Sequence, residues 1–164
     1  MSEPGEASNN DRLEDLYNDQ ILRFAGNIGR IGRLDAPDAT ATAQSRLCGS
    51  TVTVDIAVSG ETIVDFAHEV RACALGQASS SIMAQQIVGS TIDELLAVRA
   101  EMLQMLKQGA LPPGGRFTDL AALQPVREYR ARHASTMLTF DAVADAIASL
   151  NTADNDPQKS AELA

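Results

Sequence analysis

Residues 51–58 read Thr-Val-Thr-Val-Asp-Ile-Ala-Val, so that Val52, Val54, Ile56 and Val58 alternate with Thr51, Thr53, Asp55 and Ala57. A period of two sends successive side chains to opposite faces, which fixes this segment as a strand with one buried face. Ser59-Gly60-Glu61 follows as a turn, and Thr62 to Val70 reads as the returning strand of a hairpin. Ala39 to Leu47 is expected to add a third strand. On either side of this unit the apolar spacing changes to three and four. Leu13, Leu16, Tyr17, Ile21, Phe24 and Ile28 share one face of a helix expected from about Arg12 to Asn27, after which a glycine-containing connector runs to Pro37. Downstream, Cys73 to Val88 forms a helix of small residues ending at Gly89. Thr91 then caps a helix running to Lys107, with Asp93 and Glu94 in its first turn. Gly109 to Arg116 reads as a loop, Phe117 to Gln124 as a short helix, and His133 to Leu150 as a final amphipathic helix. The order specifies an α+β domain, an antiparallel three-stranded sheet packed against helices on one face.

The 164 residues suit one such domain over 12–150, with polar acidic tails at 1–11 and 151–164 expected to be disordered. With 22 acidic and 13 basic side chains the net charge is -9, which disfavours nucleic acid and anionic membrane as partners. No apolar run approaches the roughly 18 residues of a membrane-spanning helix, and the N-terminus lacks the basic start and apolar stretch of a signal peptide. Two cysteines are too few for a disulfide scaffold, so a cytoplasmic location with reduced thiols is the expectation.

Few groups offer chemistry. Cys48 precedes Gly49 at the approach to the first hairpin strand, where glycine lets the chain turn and leaves a thiol uncovered. Cys73 falls where the return strand gives way to a helix, a place whose unpaired N–H groups suit a thiolate, with Arg71 close by. The two flank the open end of one hairpin, so a separation of up to about ten ångströms is expected. Small buried filler is the alternative role for both. His68 is expected to be an exposed strand residue. His133, at the start of the last helix, is either a polar helix-start residue or a metal ligand. Arg127, Arg130 and Arg132 are either a solvated face or a docking patch for an acidic partner. Ser79-Ser80-Ser81 lacks a nucleophile elbow and is expected to allow close helix packing against the sheet. The glycines between 26 and 32 match neither a Walker loop nor a dinucleotide fingerprint.

Leu47-Cys48-Gly49, and Cys73-Ala74-Leu75-Gly76-Gln77-Ala78-Ser79-Ser80-Ser81-Ile82-Met83 with its Cys and Ala-Ser-x-Ser run, resemble the two cysteine segments of the NifU N-terminal/IscU/SufU family of iron–sulfur cluster assembly scaffolds. Leu16-Tyr17 and Ile21-Leu22 resemble the family's first helix. Gly89-Ser90-Thr91 resembles its Gly-Lys-Thr segment with Ser90 for Lys, and Gly109 to Arg132 resembles the insertion of the SufU branch. The resemblance covers about residues 12–150. It implies the α+β fold above and a non-catalytic role in which thiolates accept sulfur from a cysteine desulfurase, hold iron or zinc, and pass a transient iron–sulfur cluster to acceptor proteins. Cys48 and Cys73 carry over as acceptor and ligand thiols. The family's Asp after Cys-Gly is Ser50, and an ungapped match puts Ser135 at its third Cys. His133 becomes a metal-ligand candidate by a one-residue shift, since a His immediately precedes the third Cys in the IscU branch. A homodimer is one arrangement left open, because two chains would together offer four thiolates. Two other readings stand beside this one: a metal-free or zinc-structured adaptor that binds the desulfurase without carrying a cluster, and a thiol redox enzyme, for which no CxxC motif is present.

Overall fold

A computed structural model describes residues 17–46 and 49–154, the last four through their backbone alone. Leu13, Leu16, Leu47, Cys48 and the expected tails at 1–11 and beyond 154 lie outside the described residues. The elements run α1 (Asp19–Ala25), β1 (Ala39–Gln44), β2 (Thr51–Ser59), β3 (Thr62–Arg71), α2 (Ala74–Gln86), α3 (Ile92–Gln108), two 3-10 segments (Gly115–Glu128 and Arg130–Arg132) and α4 (His133–Asp154). The sheet is antiparallel throughout, in the order β1-β2-β3. Among the described residues no helix is long and apolar enough to cross a membrane.

The alternation in β2 does what it promises. Val52, Val54 and Ile56 are fully buried on the helix-facing side, paired with Ala43, Ala41 and Ala39 of β1. Small side chains along β1 leave room for α4, which packs across β1 and β2 and brings in Met137, Phe140 and Val143. α2 lies between α1 and α4 and also meets β3. Its serines are buried as expected, but they allow close approach chiefly to neighbouring helices: Ser81 donates to the Asn27 carbonyl just past α1.

The first helix is shorter than its apolar spacing suggested. Asn18 has extended backbone (φ -72°, ψ 173°), and its side chain accepts from the Gln20 and Ile21 N–H groups. It therefore caps a helix that starts at Asp19, so the run expected from about Arg12 to Asn27 is not continuous through Tyr17 and Asn18. β1 stops at Gln44, because Ser45 and Arg46 already belong to the turn. At the other end α4 runs through Asp154, past the point where a tail was expected to begin.

His68 is fully buried, contrary to its expected exposure. A bulge between Ala57 and Val58 shifts the register, so Val58 pairs with Ile63 while Ile56 and Val54 pair with Phe66 and His68. The strand thereby switches which of its positions point inward. The ring lies 4.9 Å from that of Phe66, and Nε2 sits 2.9 Å from the Gly29 carbonyl, leaving Nδ1 buried without a partner. Burial pushes the ring below the ordinary imidazole range, outweighing the Gly29 carbonyl, which favours the protonated form.

The connector after α1 is a strap across the sheet's outer face. Ile31 forms a parallel bridge with His68 at the β3 edge, and Asp38 continues the ladder on the far side by donating to the Ile56 carbonyl. Between these points it is gripped by Asp55 of β2, which is fully buried. Arg33 Nε and Nη2 reach the carboxylate at 2.7 and 3.1 Å, the Leu34 N–H at 3.0 Å and the Thr40 hydroxyl at 2.6 Å. Burial pushes this carboxyl up, but the Arg33, Thr40 and Leu34 donors prevail and hold it below the ordinary carboxylate range. Its contribution to stability is therefore complete above the unfolded value of about 3.9 and is lost as pH falls through the lower folded value. Asp55→Asn is expected to cost about 2 kcal/mol at neutral pH, the scale of hydrogen bonds to a charged group. It should also remove this position's share of the acid-induced loss. Urea denaturation of both proteins at neutral and acidic pH checks this, and an unchanged midpoint at neutral pH would contradict it.

Candidate functional site around Cys73

The three strands bring their loops to one end of the sheet. Ser45 donates its N–H to the Ser50 carbonyl at 2.9 Å, and Gly49 donates to the Ser45 carbonyl at 2.9 Å, closing the turn between β1 and β2. Gly49 has φ +69°, a conformation that side chains disfavour. Sequence position 48 belongs to this connection, outside the described residues. Thr51, the first residue of β2, pairs with Arg71, the last of β3, and Cys73 follows two residues later. The β1–β2 turn and Cys73 thus leave the same end of the sheet.

Cys73 is the N-cap of α2, with extended backbone (φ -66°, ψ 171°) and no capping bond from its side chain. Its thiol, part-exposed and free, lies 3.5 Å from the hydroxyl of Ser135, toward which it donates. Ser135 in turn donates to the Arg132 carbonyl at 3.2 Å and is fully buried in the first turn of α4. The N-termini of two helices, of 13 and 22 residues, therefore converge on this sulfur. Both ends carry partial positive charge.

Gly76 makes the convergence possible. A Cβ there would stand 2.7 Å from the Ala72 Cβ and 3.0 Å from the Ser135 carbonyl oxygen. Ala72 is itself tied down, its carbonyl accepting from Gln77 Nε2 at 2.9 Å. Local sequence shows the glycine but not what approaches it, because Ser135 is remote along the chain.

His133 sits two residues before Ser135, and a helical step of two residues turns side chains to nearly opposite sides. Its Nε2 lies 3.0 Å and 3.1 Å from the carbonyls of Val126 and Arg127, so that nitrogen carries a proton shared between them. The structure brings Ser135 to Cys73 and leaves His133 facing the 3-10 segment. Among the described residues no three or more His, Cys, Asp or Glu groups are placed to hold a metal ion. Ser50 is buried behind the β1–β2 turn.

Arg116 was not foreseen. Its Nη1 donates to the Ser90 hydroxyl at 3.1 Å, while Ser90 donates to the Gln86 carbonyl at 2.7 Å. A guanidinium from another part of the chain thus stands beside the position where the resemblance expected Lys. No short-range signal in the sequence marks it.

Comparison with known proteins agrees with this architecture. The model of the NifU-like N terminal domain matches residues 16–150. A crystal structure of a nitrogen-fixing NifU-like protein (N-terminal) from Brucella abortus is 57% identical with a TM-score of 0.84, covering 86% of this chain and 98% of that one. The zinc-dependent sulfurtransferase SufU of Bacillus subtilis is 25% identical over 139 residues, 85% of this chain and 94% of its own. The iron-sulfur cluster assembly scaffold protein IscU of Thermotoga maritima is 23% identical over 132 residues, 80% of this chain and 92% of its own.

Replacing Gly76 with Ala forces α2 and α4 apart where the thiol is held. A loss of about 1–3 kcal/mol in stability is expected from such overpacking, with faster alkylation of Cys73 as Ser135 withdraws. Thermal melts and iodoacetamide kinetics on a Cys48→Ala background, which isolates Cys73, test the pair. Unchanged values in both would contradict the close contact.

Proposed function

The chain belongs to the family of NifU-like N-terminal domains, and from that premise we propose that it serves iron–sulfur cluster assembly by accepting sulfur from a cysteine desulfurase on Cys73 and Cys48. The observation that carries this reading is the placement of the Cys73 thiol, part-exposed and set between two helix N-termini beside Ser135. The names of the IscU and SufU relatives supply the chemical context.

The acceptor step follows from that placement. The Cys73 thiolate attacks the outer sulfur of the desulfurase persulfide. One S–S bond forms at Cys73, the donor's S–S bond breaks, and the donor cysteine leaves as a thiolate. No net oxidation occurs, and Cys73 ends as a persulfide. The helix N-termini set partial positive charge beside the attacking sulfur. The Ser135 hydroxyl, close enough to hydrogen-bond that sulfur, orients it. His133 keeps the entry to α4 in place through the Val126 and Arg127 carbonyls.

Metal is a harder fit. Structural zinc sites take four nitrogen or sulfur ligands, whereas each chain has two cysteines and presents a hydroxyl at the third position. A resident zinc is therefore not supported by these residues. A [2Fe–2S] cluster also takes four thiolates. As cargo it is held between two copies of the chain, each contributing Cys48 and Cys73. Passing it to acceptor proteins completes the role, which is stoichiometric rather than catalytic.

Incubating the anaerobically purified protein with a cysteine desulfurase, cysteine, iron and excess dithiothreitol, which supplies the electrons that take persulfide sulfur to sulfide, should give protein-bound sulfide and iron. Cys73→Ala or Cys48→Ala should lose at least about tenfold of each, since each removes an acceptor thiol. Native mass spectrometry should find the cluster on dimers. Stoichiometric zinc without sulfide would contradict the ligand argument. Unimpaired support of assembly by the double variant would instead assign the adaptor role.

A further inference from the structure

A cavity of about 280 Å³ lies on the far side of the α4 N-terminus from Cys73, lined by Leu106 and Lys107 of α3, Arg127 and Arg130 of the 3-10 region, and His133. We propose that it binds a small polyanion carrying two or more carboxylate or phosphate groups. The volume is at the lower end for ligand pockets, the size of a compact acid rather than a nucleotide. Leu106 is buried beneath it, and His133 is held by its carbonyl partners as a wall. Three of the chain's 13 cationic side chains meet here although carboxylates outnumber them overall.

Two of the three cations are not spent on the protein's own acids. Arg127 pairs with Glu128 at 3.2 Å, and its Nη1 lies 2.9 Å from where a Cβ on Gly109 would stand. It thus stands close against Gly109 at the end of α3. No carboxylate among the described residues pairs with Lys107 or Arg130. Two unpaired cations and a fixed guanidinium around one concavity match an anion with several charged oxygens, since each added contact is charge-assisted. The chain's overall negative charge gives no long-range attraction, so recognition here is short-range and geometric. The site is separate from the sulfur-accepting thiol.

Calorimetric titration of the full chain with citrate and with pyrophosphate, using acetate at matched ionic strength as the control, tests the proposal. Saturable binding of either polyanion is expected, with none of acetate. Arg130→Gln and Lys107→Gln should each weaken it by about fivefold or more, the effect of one nearby charge in water. Both residues are exposed, and thermal melts establish that the variants remain folded. Binding of citrate alone identifies a carboxylate ligand, and binding of pyrophosphate alone a phosphate ligand. No saturation by either at about 10 mM, equal affinity in the variants, or binding by a poly-glutamate peptide alone would overturn the proposal.

Discussion

The missing side chain at position 76 sets the distance between the two helices on which the thiol depends. With hydrogen in place of a methyl, the first turn of α2 lies against the Ser135 carbonyl, and the sulfur of Cys73 is drawn to the Ser135 hydroxyl. Everything downstream of that contact inherits its geometry. α4 is aimed from here across β1 and β2, where the alanines of β1 receive it. α2 is aimed between α1 and α4, where its serines make a third helix surface thin enough to fit. The chemistry and the core are thus set by one close approach, which ties the cost of altering the site to the cost of altering the fold.

What was legible in the sequence was what repeats locally. Val52, Val54 and Ile56 declare a strand by themselves, and Thr91 with Asp93 and Glu94 declares a helix start. Cys73 was readable as a helix-entry thiol because strand and helix periods meet there. The failures share a cause: each depends on a residue that local spacing does not see. His68 points inward because a bulge opposite Ala57 and Val58 exchanges the faces of β3. Asn18 looks like one more polar position in a helical pattern until its side chain folds onto the next N–H groups. Asp55 reads as a polar strand residue, and its partner Arg33 lies 22 positions away.

The same limit applies to the site. The family resemblance puts Ser135 at the third Cys, and it is the fold that brings its hydroxyl to Cys73. Composition and spacing had no means of pairing residues 62 positions apart. Arg116 beside Ser90 arises the same way, through a loop that returns to the corner between α2 and α3. A cation can therefore reappear in space after its place in a motif has changed, and a motif read along the chain undercounts the charges around it.

The strap between α1 and β1 has a consequence for how sheets meet. An edge strand offers free N–H and C=O groups to any strand that comes alongside, and folded proteins cover or interrupt such edges. Here Arg30 and Gly32 occupy the backbone groups of His68, while Gly89 and Ser90 occupy those of Ile63. The rim of β3 is thereby claimed at both ends by the chain's own loops. Lateral growth of the sheet at this rim, whether by a second copy or by an extended peptide, would have to displace those loops first.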